Sequence, residues 1–139
     1  MTTEQNKKII QRLFNEGMNE RKFQVFDEFV SDKFINHGIP NSKPGPKGFR
    51  EIVQQFLQGF PDMHITILEI ISDGDTVATR GYMTGTHNGE FMGLNSTGKK
   101  VRVDYIDFWK LNNGKCEENW VQMDIAGLMQ QIGSAQHAF

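Results

Sequence analysis

The amino-acid sequence predicts an α+β fold in which N-terminal helices pack on the concave face of a curved, mainly antiparallel sheet. Three observations lead to this expectation. Apolar residues recur at helical spacing before Pro61, and they recur at every second position after it. Two hairpin signals, Asp73-Gly74 and Asn113-Gly114, join strands in the second part. Helices followed by antiparallel strands are typical of the α+β class.

Length and composition limit the classes to which the protein can belong. Its 139 residues suit a single domain, residues 1–139, with one core. The net charge of −2 favours neither nucleic acid nor an anionic membrane surface as a partner. We find no leader pattern and no apolar run long enough to span a membrane. The single cysteine, Cys116, is typical of a reducing compartment, so we expect a cytoplasmic protein.

The N-terminal half predicts three helices. Thr2 and Gln5 have the spacing of a capping box at the start of the first helix. Pro46 fits the first turn of the third helix, which Gly59 and Pro61 end. The apolar faces of the three helices consist, in order, of Ile9, Ile10, Leu13, Phe14 and Met18; of Phe23, Phe26, Phe29 and Val30; and of Phe49, Ile52, Val53, Phe56, Leu57 and Phe60.

The C-terminal half predicts four long strands and a short closing helix, preceded by an extended piece at residues 34–37. The strands span residues 64–71, 76–87, 101–110 and 115–124, and the helix spans residues 125–132. Such a sheet, with helices on its concave face, encloses a conical cavity. Alternation along the strands sorts side chains into two faces, but it does not choose the face that lines the cavity.

A set of motifs occurs in a defined order along nearly the whole chain. It comprises Gly59-Phe-Pro-Asp62, Gly74-Asp75, Gly85-Thr-His-Asn-Gly-Glu-Phe-Met-Gly93, Asn113-Gly-Lys115 and then Glu118, Trp120, Asp124 and residues 128–131. This ordered set resembles the SnoaL-like polyketide cyclase family.

The resemblance implies a cystatin-like α+β cone of the nuclear transport factor 2-like superfamily, often a homodimer formed through the sheet. It also implies an enzyme that closes a ring of an aromatic polyketide methyl ester by intramolecular aldol condensation, without metal or cofactor. In such cyclases the acid that matches Asp124 is the general acid and base. We therefore expect a small, apolar, carbonyl-containing ligand and no cofactor.

Asp124 is the first catalytic candidate. As a strand residue it shares a face with Trp120 and Gln122, so it would be a polar group in an apolar pocket. An apolar wall would raise the pKa of its carboxyl towards neutrality, and one carboxyl would then act first as base and then as acid. The alternative is that Asp124 caps the helix that follows, because Asp is a favoured N-cap residue.

His37 and His87 are the other catalytic candidates, since either imidazole could bind a substrate carbonyl or share in proton transfer. The alternatives are a loop position for His37 and a structural hydrogen bond at a turn for His87. Together with Asp107 and Asp124 they show none of the close spacings of a metal site, so we expect no metal.

Aromatic, methionine and polar side chains on the predicted elements are candidates for the substrate-binding wall. They are Trp120, Gln122, Phe60, Met83, Phe91, Tyr105, Asp107 and Trp109. Asp107 shares a strand face with Tyr105 and Trp109. If that face lines the cavity, Asp107 could pair with Asp124 and raise one pKa. If it is the outer face, these residues belong to a dimer contact.

Three functions remain open at this point. The first is a cofactor-free cyclase of the SnoaL-like type acting through Asp124. The second is a non-catalytic module of the same fold that binds a small ligand or dimerises. The third is a steroid-isomerase-like or dehydratase-like enzyme that uses the same pocket. Nucleotide binding is excluded, because the glycine-bounded segments at residues 89–98 do not lead from a strand into a helix as a phosphate loop does.

Overall fold

The computed structural model describes residues 2–133. Met1 and residues 134–139 lie outside it, and so do the two ends of the predicted domain 1–139. The elements are α1 (Thr3–Arg12), a π-helical segment (Leu13–Asn19), α2 (Gln24–Phe29), β1 (Val30–Asn36), α3 (Gly45–Gly59), β2 (His64–Asp73), β3 (Thr76–Thr86), β4 (Lys100–Asn112), β5 (Lys115–Met123) and α4 (Ile125–Gln131).

The strands form one curved, unclosed sheet in the order β1-β5-β4-β3-β2. Neighbours pair antiparallel except β1 and β5, which are parallel. The predicted α+β fold is confirmed, but the sheet has one strand more than the four long strands expected. The extended piece at residues 34–37 falls largely in β1, whose backbone pairs with β5 from Val30 opposite Cys116 to Asn36 opposite Asn119.

Local sequence signals account for the ends and bends of the helical layer. The capping box of α1 forms as predicted: the Thr2 backbone N–H donates to Oε1 of Gln5 at 2.8 Å, and the Gln5 backbone N–H donates to Oγ1 of Thr2 at 3.1 Å. The first predicted helix then widens into the π-helical segment. Gly17 lies within it, where a Cβ atom would stand 2.5 Å from the Phe26 ring, so only glycine allows α2 to approach this closely.

The two sheet faces differ sharply along the strands. Residues of β4 alternate strictly between exposed and buried, with the buried side chains facing the helices. In β2 the predicted alternation breaks, because a bulge follows Ile67. Ile65, Ile67 and Ile70 consequently pack against the core, whereas Leu68 and Ile71 are exposed on the other side.

The hydrophobic core fills the space between the helices and the inner face of the sheet. Its largest fully buried side chains come from both layers and include Phe26, Phe34, Phe60, Trp109 and Leu128. Among residues 2–133, no helix combines the length and the apolar character that crossing a membrane requires.

Candidate active site

A cavity of about 90 Å³ lies between the inner face of the sheet and the helices. Its wall is almost entirely apolar, and the polar exceptions are Asp107, Tyr105, Trp109, Asn36 and Asn119. The other lining residues are Phe14, Met18, Ile39, Phe49, Ile52, Val53, Phe56, Met63, Ile65, Met83, Val121 and Met123. An apolar wall with a few convergent polar groups is typical of small-molecule binding sites.

Asp107 is the ionisable carboxyl of this cavity. It lies on the central strand β4, opposite Thr79 of β3 and Val121 of β5, and only 3% of its surface is exposed. Burial raises the pKa of the Asp107 carboxyl to about 7, because an apolar environment disfavours the charged form. Hydrogen bonds from the Thr79 side chain and backbone and the nearby Trp109 indole act in the opposite direction but do not offset burial.

A short polar chain holds this carboxyl in place. Oγ1 of Thr79 lies 2.6 Å from Oδ1 of Asp107 and 3.0 Å from the hydroxyl oxygen of Tyr105. A hydroxyl donates only one hydrogen bond, so when Thr79 donates to the Asp107 carboxylate it accepts from Tyr105. Burial raises the pKa of Tyr105 to about 12, so this phenol stays protonated and remains a donor.

Trp109 follows Asp107 on the same face of β4 and is also buried. Its indole N–H lies close enough to the carboxyl to lower the pKa of Asp107, but the contact falls outside hydrogen-bond geometry. Within residues 2–133, Nε1 of Trp109 is therefore a buried donor without an acceptor. Buried donors without acceptors are costly and rare in folded proteins.

Two asparagines complete the polar part of the wall. Asn36 and Asn119 are register neighbours on β1 and β5, and both are buried. Oδ1 of Asn36 accepts from the Gly38 backbone N–H at 3.0 Å, and Nδ2 of Asn119 donates to the Phe108 carbonyl at 3.0 Å. These bonds fix the two amides at the cavity wall. Sequence reasoning missed both, although the alternation of β5 already separates Asn119 from Trp120.

Asp124 requires a correction, because the expectation that it lies in an apolar pocket is wrong. Its side chain is exposed and does not line the cavity. It is the N-cap of α4, where Oδ1 accepts from the Gly127 backbone N–H at 2.9 Å. The predicted pairing of Asp124 with Asp107 inside the cavity is likewise absent, since only Asp107 is in the wall. A catalytic role for Asp124 stays a prediction.

The face of β5 that contains Trp120 and Gln122 is the outer face, which reverses the expectation for these two residues. Trp120 is 42% exposed and stacks on His37, with ring centroids 4.8 Å apart. His37 is itself exposed, and its Nε2 lies 3.7 Å from Oε2 of Glu118. The cavity receives Val121 and Met123 from β5 instead. The prediction that Trp120 lines the cavity relied on its large aromatic side chain, which lies instead on the outer face.

His87, Phe60 and Phe91 are buried together but outside the cavity lining. Their rings are neighbours, with centroids 5.5 Å apart for Phe60 and His87 and 5.1 Å apart for Phe60 and Phe91. Nδ1 of His87 lies 3.0 Å from Oγ1 of Thr97, and the His87 carbonyl accepts from the backbone of Thr97 and Gly98. These contacts agree with the alternative that His87 makes structural hydrogen bonds at a turn, because they hold the loop that follows β3.

Of the predicted substrate-binding residues, the structure brings Met83, Tyr105, Asp107 and Trp109 into the cavity wall. Contact with a substrate stays a prediction for these four residues. Within the described residues, no three His, Cys, Asp or Glu side chains are grouped so that they could hold a metal ion. The chemistry that this wall offers is proton transfer at Asp107 together with hydrogen bonding from its neighbours.

The curved sheet and the helices on its concave face give the chain an α+β fold of the nuclear transport factor 2-like class. Within that class, the chain belongs to the SnoaL-like polyketide cyclase family, whose model matches residues 8–132.

One curated relative and two solved structures are similar to most of the chain. Aklanonic acid methyl ester cyclase DnrD of Streptomyces peucetius is 25% identical over 122 residues, which cover 85% of this chain and 84% of DnrD. Among solved structures, TsrD of Streptomyces laurentii superposes with a TM-score of 0.87 at 20% identity, covering 96% of this chain and 98% of TsrD. IdmH of Streptomyces antibioticus gives a TM-score of 0.80 at 28% identity, covering 93% of this chain and 99% of IdmH.

Proposed function

We propose that this protein is a cofactor-free acid/base enzyme that enolises a small aromatic carbonyl compound and closes a ring by intramolecular aldol addition. One observation carries the proposal: Asp107 is a buried carboxyl in the wall of an apolar cavity, with a pKa of about 7. The relationship to a cyclase that acts on aklanonic acid methyl ester supports the reaction class. Asp107 replaces Asp124 as the residue that we expect to transfer the proton.

The chemistry needs one group that takes a proton and gives it back. The Asp107 carboxylate removes a proton from the carbon next to a substrate carbonyl, and an enolate forms. The enolate carbon then attacks a second carbonyl carbon of the same molecule, and the new alkoxide takes the proton from Asp107. A pKa near 7 suits both steps, since the carboxylate is available at neutral pH and is a stronger base than an exposed aspartate. The cavity contributes by holding both carbonyl groups in one folded conformation.

The size of the cavity supports a second candidate function, proton transfer on a smaller ketone without ring closure. Its volume of about 90 Å³ is below the roughly 300–1,000 Å³ that is usual for drug-sized ligands. A polycyclic guest therefore requires the half-buried wall side chains, such as Ile52, Phe56 and Met123, to move outward. A small ketone requires less displacement.

The common first step of both reactions is directly measurable. We would incubate the protein in D₂O with 2-tetralone, a flat bicyclic ketone with acidic hydrogens next to its carbonyl, and follow loss of their NMR signals. We expect the wild-type protein to accelerate exchange and Asp107→Asn to exchange at the buffer rate. Equal rates for wild type and Asp107→Asn would contradict the role of Asp107. Tight binding of the ketone without exchange would instead favour a non-catalytic binding module.

We also propose that two copies associate through the outer face of the sheet. An exposed apolar row crosses four strands of the outer face and contains Ile71, Phe108 and Trp120. Ile71 of β2 is opposite Ala78 of β3, Ala78 is opposite Phe108 of β4, and Phe108 is opposite Trp120 of β5. Such a patch is self-complementary when two identical sheets face each other, and contiguous exposed apolar surface is typical of interfaces. Sedimentation equilibrium should find dimers for wild type and monomers for Phe108→Lys. A monomeric wild type at micromolar concentration would exclude this dimer.

A further inference from the structure

We propose that the indole N–H of Trp109 holds the carbonyl oxygen of the substrate, and the enolate oxygen formed from it, beside Asp107. The inference rests on the proposed function, since it names the group that stabilises the charge which Asp107 creates. It would make Trp109 a catalytic residue in its own right, with its hydrogen bond directed at the reacting oxygen.

The first support is the state of the indole nitrogen. Four buried side-chain atoms lack a hydrogen-bond partner within residues 2–133: Oδ1 of Asn6, Nε of Arg50, Nε2 of His87 and Nε1 of Trp109. Only Trp109 belongs to a residue that lines the cavity. A buried donor that makes no hydrogen bond within residues 2–133 can gain one when a guest oxygen binds in the cavity.

The second support is the rigidity of the ring. Trp109 packs among Phe14, Phe34 and Phe49, with centroid distances of 5.9, 6.2 and 6.0 Å. Its backbone belongs to β4, which is paired on both sides. An indole held by three aromatic rings has little freedom to follow a poorly placed acceptor. A donor that is already fixed in place stabilises a developing negative charge efficiently, because the donor does not have to reorganise during the reaction.

The third support is the spacing of the two groups. Asp107 and Trp109 are two residues apart on one face of a strand, about 7 Å between Cα atoms. Both side chains line the same cavity, and the indole lowers the pKa of the Asp107 carboxyl. One H–C–C=O fragment can therefore present its hydrogen to the carboxylate and its oxygen to the indole. Nothing further is needed to balance the step, because the C–H electron pair becomes the enolate C=C bond and the carbonyl π pair moves to oxygen.

The test compares a mimic of the enolate with an isostere that lacks the oxygen. The probes are 2-naphthol, which binds as an oxygen acceptor in the shape of enolised 2-tetralone, and 2-methylnaphthalene. We expect replacement of Trp109 by 3-benzothienylalanine, which exchanges only N–H for sulfur, to weaken 2-naphthol binding at least tenfold. Binding of 2-methylnaphthalene should change less than twofold. Trp109→Phe should follow the same pattern in a fully genetic variant.

The second tryptophan provides a matched control. Trp120→Phe removes the other indole N–H of the chain from the exposed outer face, so it should leave the affinity for both probes unchanged. The two indole N–H signals also give a direct readout in ¹H–¹⁵N NMR spectra, assigned by their loss in each variant. We expect 2-naphthol to shift the Trp109 signal downfield and to leave the Trp120 signal in place.

The outcomes separate this inference from the proposed function. Equal weakening of both probes in the Trp109 variants would mean a packing role only, and unchanged 2-naphthol binding would mean no hydrogen bond; either result overturns the inference. Both results are independent of turnover. Conversely, if the wild type fails to exchange 2-tetralone but the selective loss of 2-naphthol binding appears, the enolisation proposal fails while the donor role of Trp109 stands.

Discussion

The two faces of the sheet carry similar residues and give them opposite properties. On the inner face, Asp107 lies beside Trp109 on β4, and both are buried. On the outer side, Asp124 follows Trp120 at the end of β5, and both are exposed. In each case an acid lies near a tryptophan in a strand sequence. The helical layer that covers one side of the sheet therefore decides whether a carboxyl near a tryptophan is buried with a raised pKa or is exposed at the surface, where it can cap a helix.

The chemical contrast follows from solvation. Asp107 has exchanged water for apolar side chains and a hydrogen bond from Thr79, and burial raises its pKa to about 7. Asp124 is exposed, and its side chain accepts a hydrogen bond from the Gly127 backbone N–H at the start of α4. Substitutions on the two faces should therefore differ in their effects on catalysis, on stability and on its pH dependence.

The contrast should be greatest in catalysis. We expect Asp107→Asn to lower the rate of 2-tetralone exchange by about 10²- to 10⁴-fold, the usual contribution of a positioned general base. Asp124→Asn should change it less than about twofold, because Asn is an equally good N-cap. Initial rates by NMR and thermal melts of both variants give the comparison. A large loss in Asp124→Asn with an intact fold would restore Asp124 as the catalytic acid.

Stability should also differ between adjacent residues of β1. Phe34 is fully buried and Ile35 is 50% exposed. We expect Phe34→Ala to lower the free energy of unfolding by about 3–5 kcal/mol through lost burial and a cavity. Ile35→Ala should cost at most about 0.5 kcal/mol in the monomer, as is usual for surface changes. Urea denaturation with a common m-value measures both, and similar costs would refute the assignment of faces in β1.

Buried Asp107 should make stability depend on pH with a definite sign. Its folded pKa, about 7, exceeds the value of 3.8 for an ordinary aspartate, so between these values the folded state binds more protons than the unfolded state. The contribution of Asp107 to stability should therefore be greatest below about pH 4, fall as pH rises and level off above about pH 7, a change on the order of 4 kcal/mol.

The difference between wild type and Asp107→Asn isolates this dependence from that of other carboxyls. Asp62, for example, acts in the opposite sense, because hydrogen bonds from Thr86 lower its pKa. Urea denaturation of both proteins from pH 4 to 8 provides the measurement. If the two pH profiles run parallel, Asp107 does not titrate as a buried acid.

The smallest effect belongs to the helix cap on the outer side. Asp124→Ala leaves the Gly127 backbone N–H without its acceptor, and we expect a loss of about 0.5–2 kcal/mol of stability. Asp124→Asn should lower the free energy of unfolding by only about a few tenths of a kcal/mol, because Asn is nearly as good an N-cap as Asp. Thermal unfolding of the two variants checks the order, and a greater loss for Asn than for Ala would argue against capping.

Much of the fold follows from local chemistry that the sequence shows directly. The capping box of Thr2, the turns at Gly74 and Gly114 and the alternation of β4 depend on neighbouring residues only. The capping alternative for Asp124 was available for the same reason. The fifth strand was harder to predict, because parallel pairing of β1 with β5 joins residues more than 80 positions apart.

The amino-acid sequence was enough to predict the family, the order of the elements other than β1, and the shared strand face of Tyr105, Asp107 and Trp109. The packing of the helices on the sheet was needed to show that this face is the inner one and that Trp120, Gln122 and Asp124 are exposed on the other side. The physical reason is that a strand has two equivalent sides, and a period of two cannot distinguish them. The helices that cover one side supply the missing information, and by excluding water they give Asp107 its pKa of about 7.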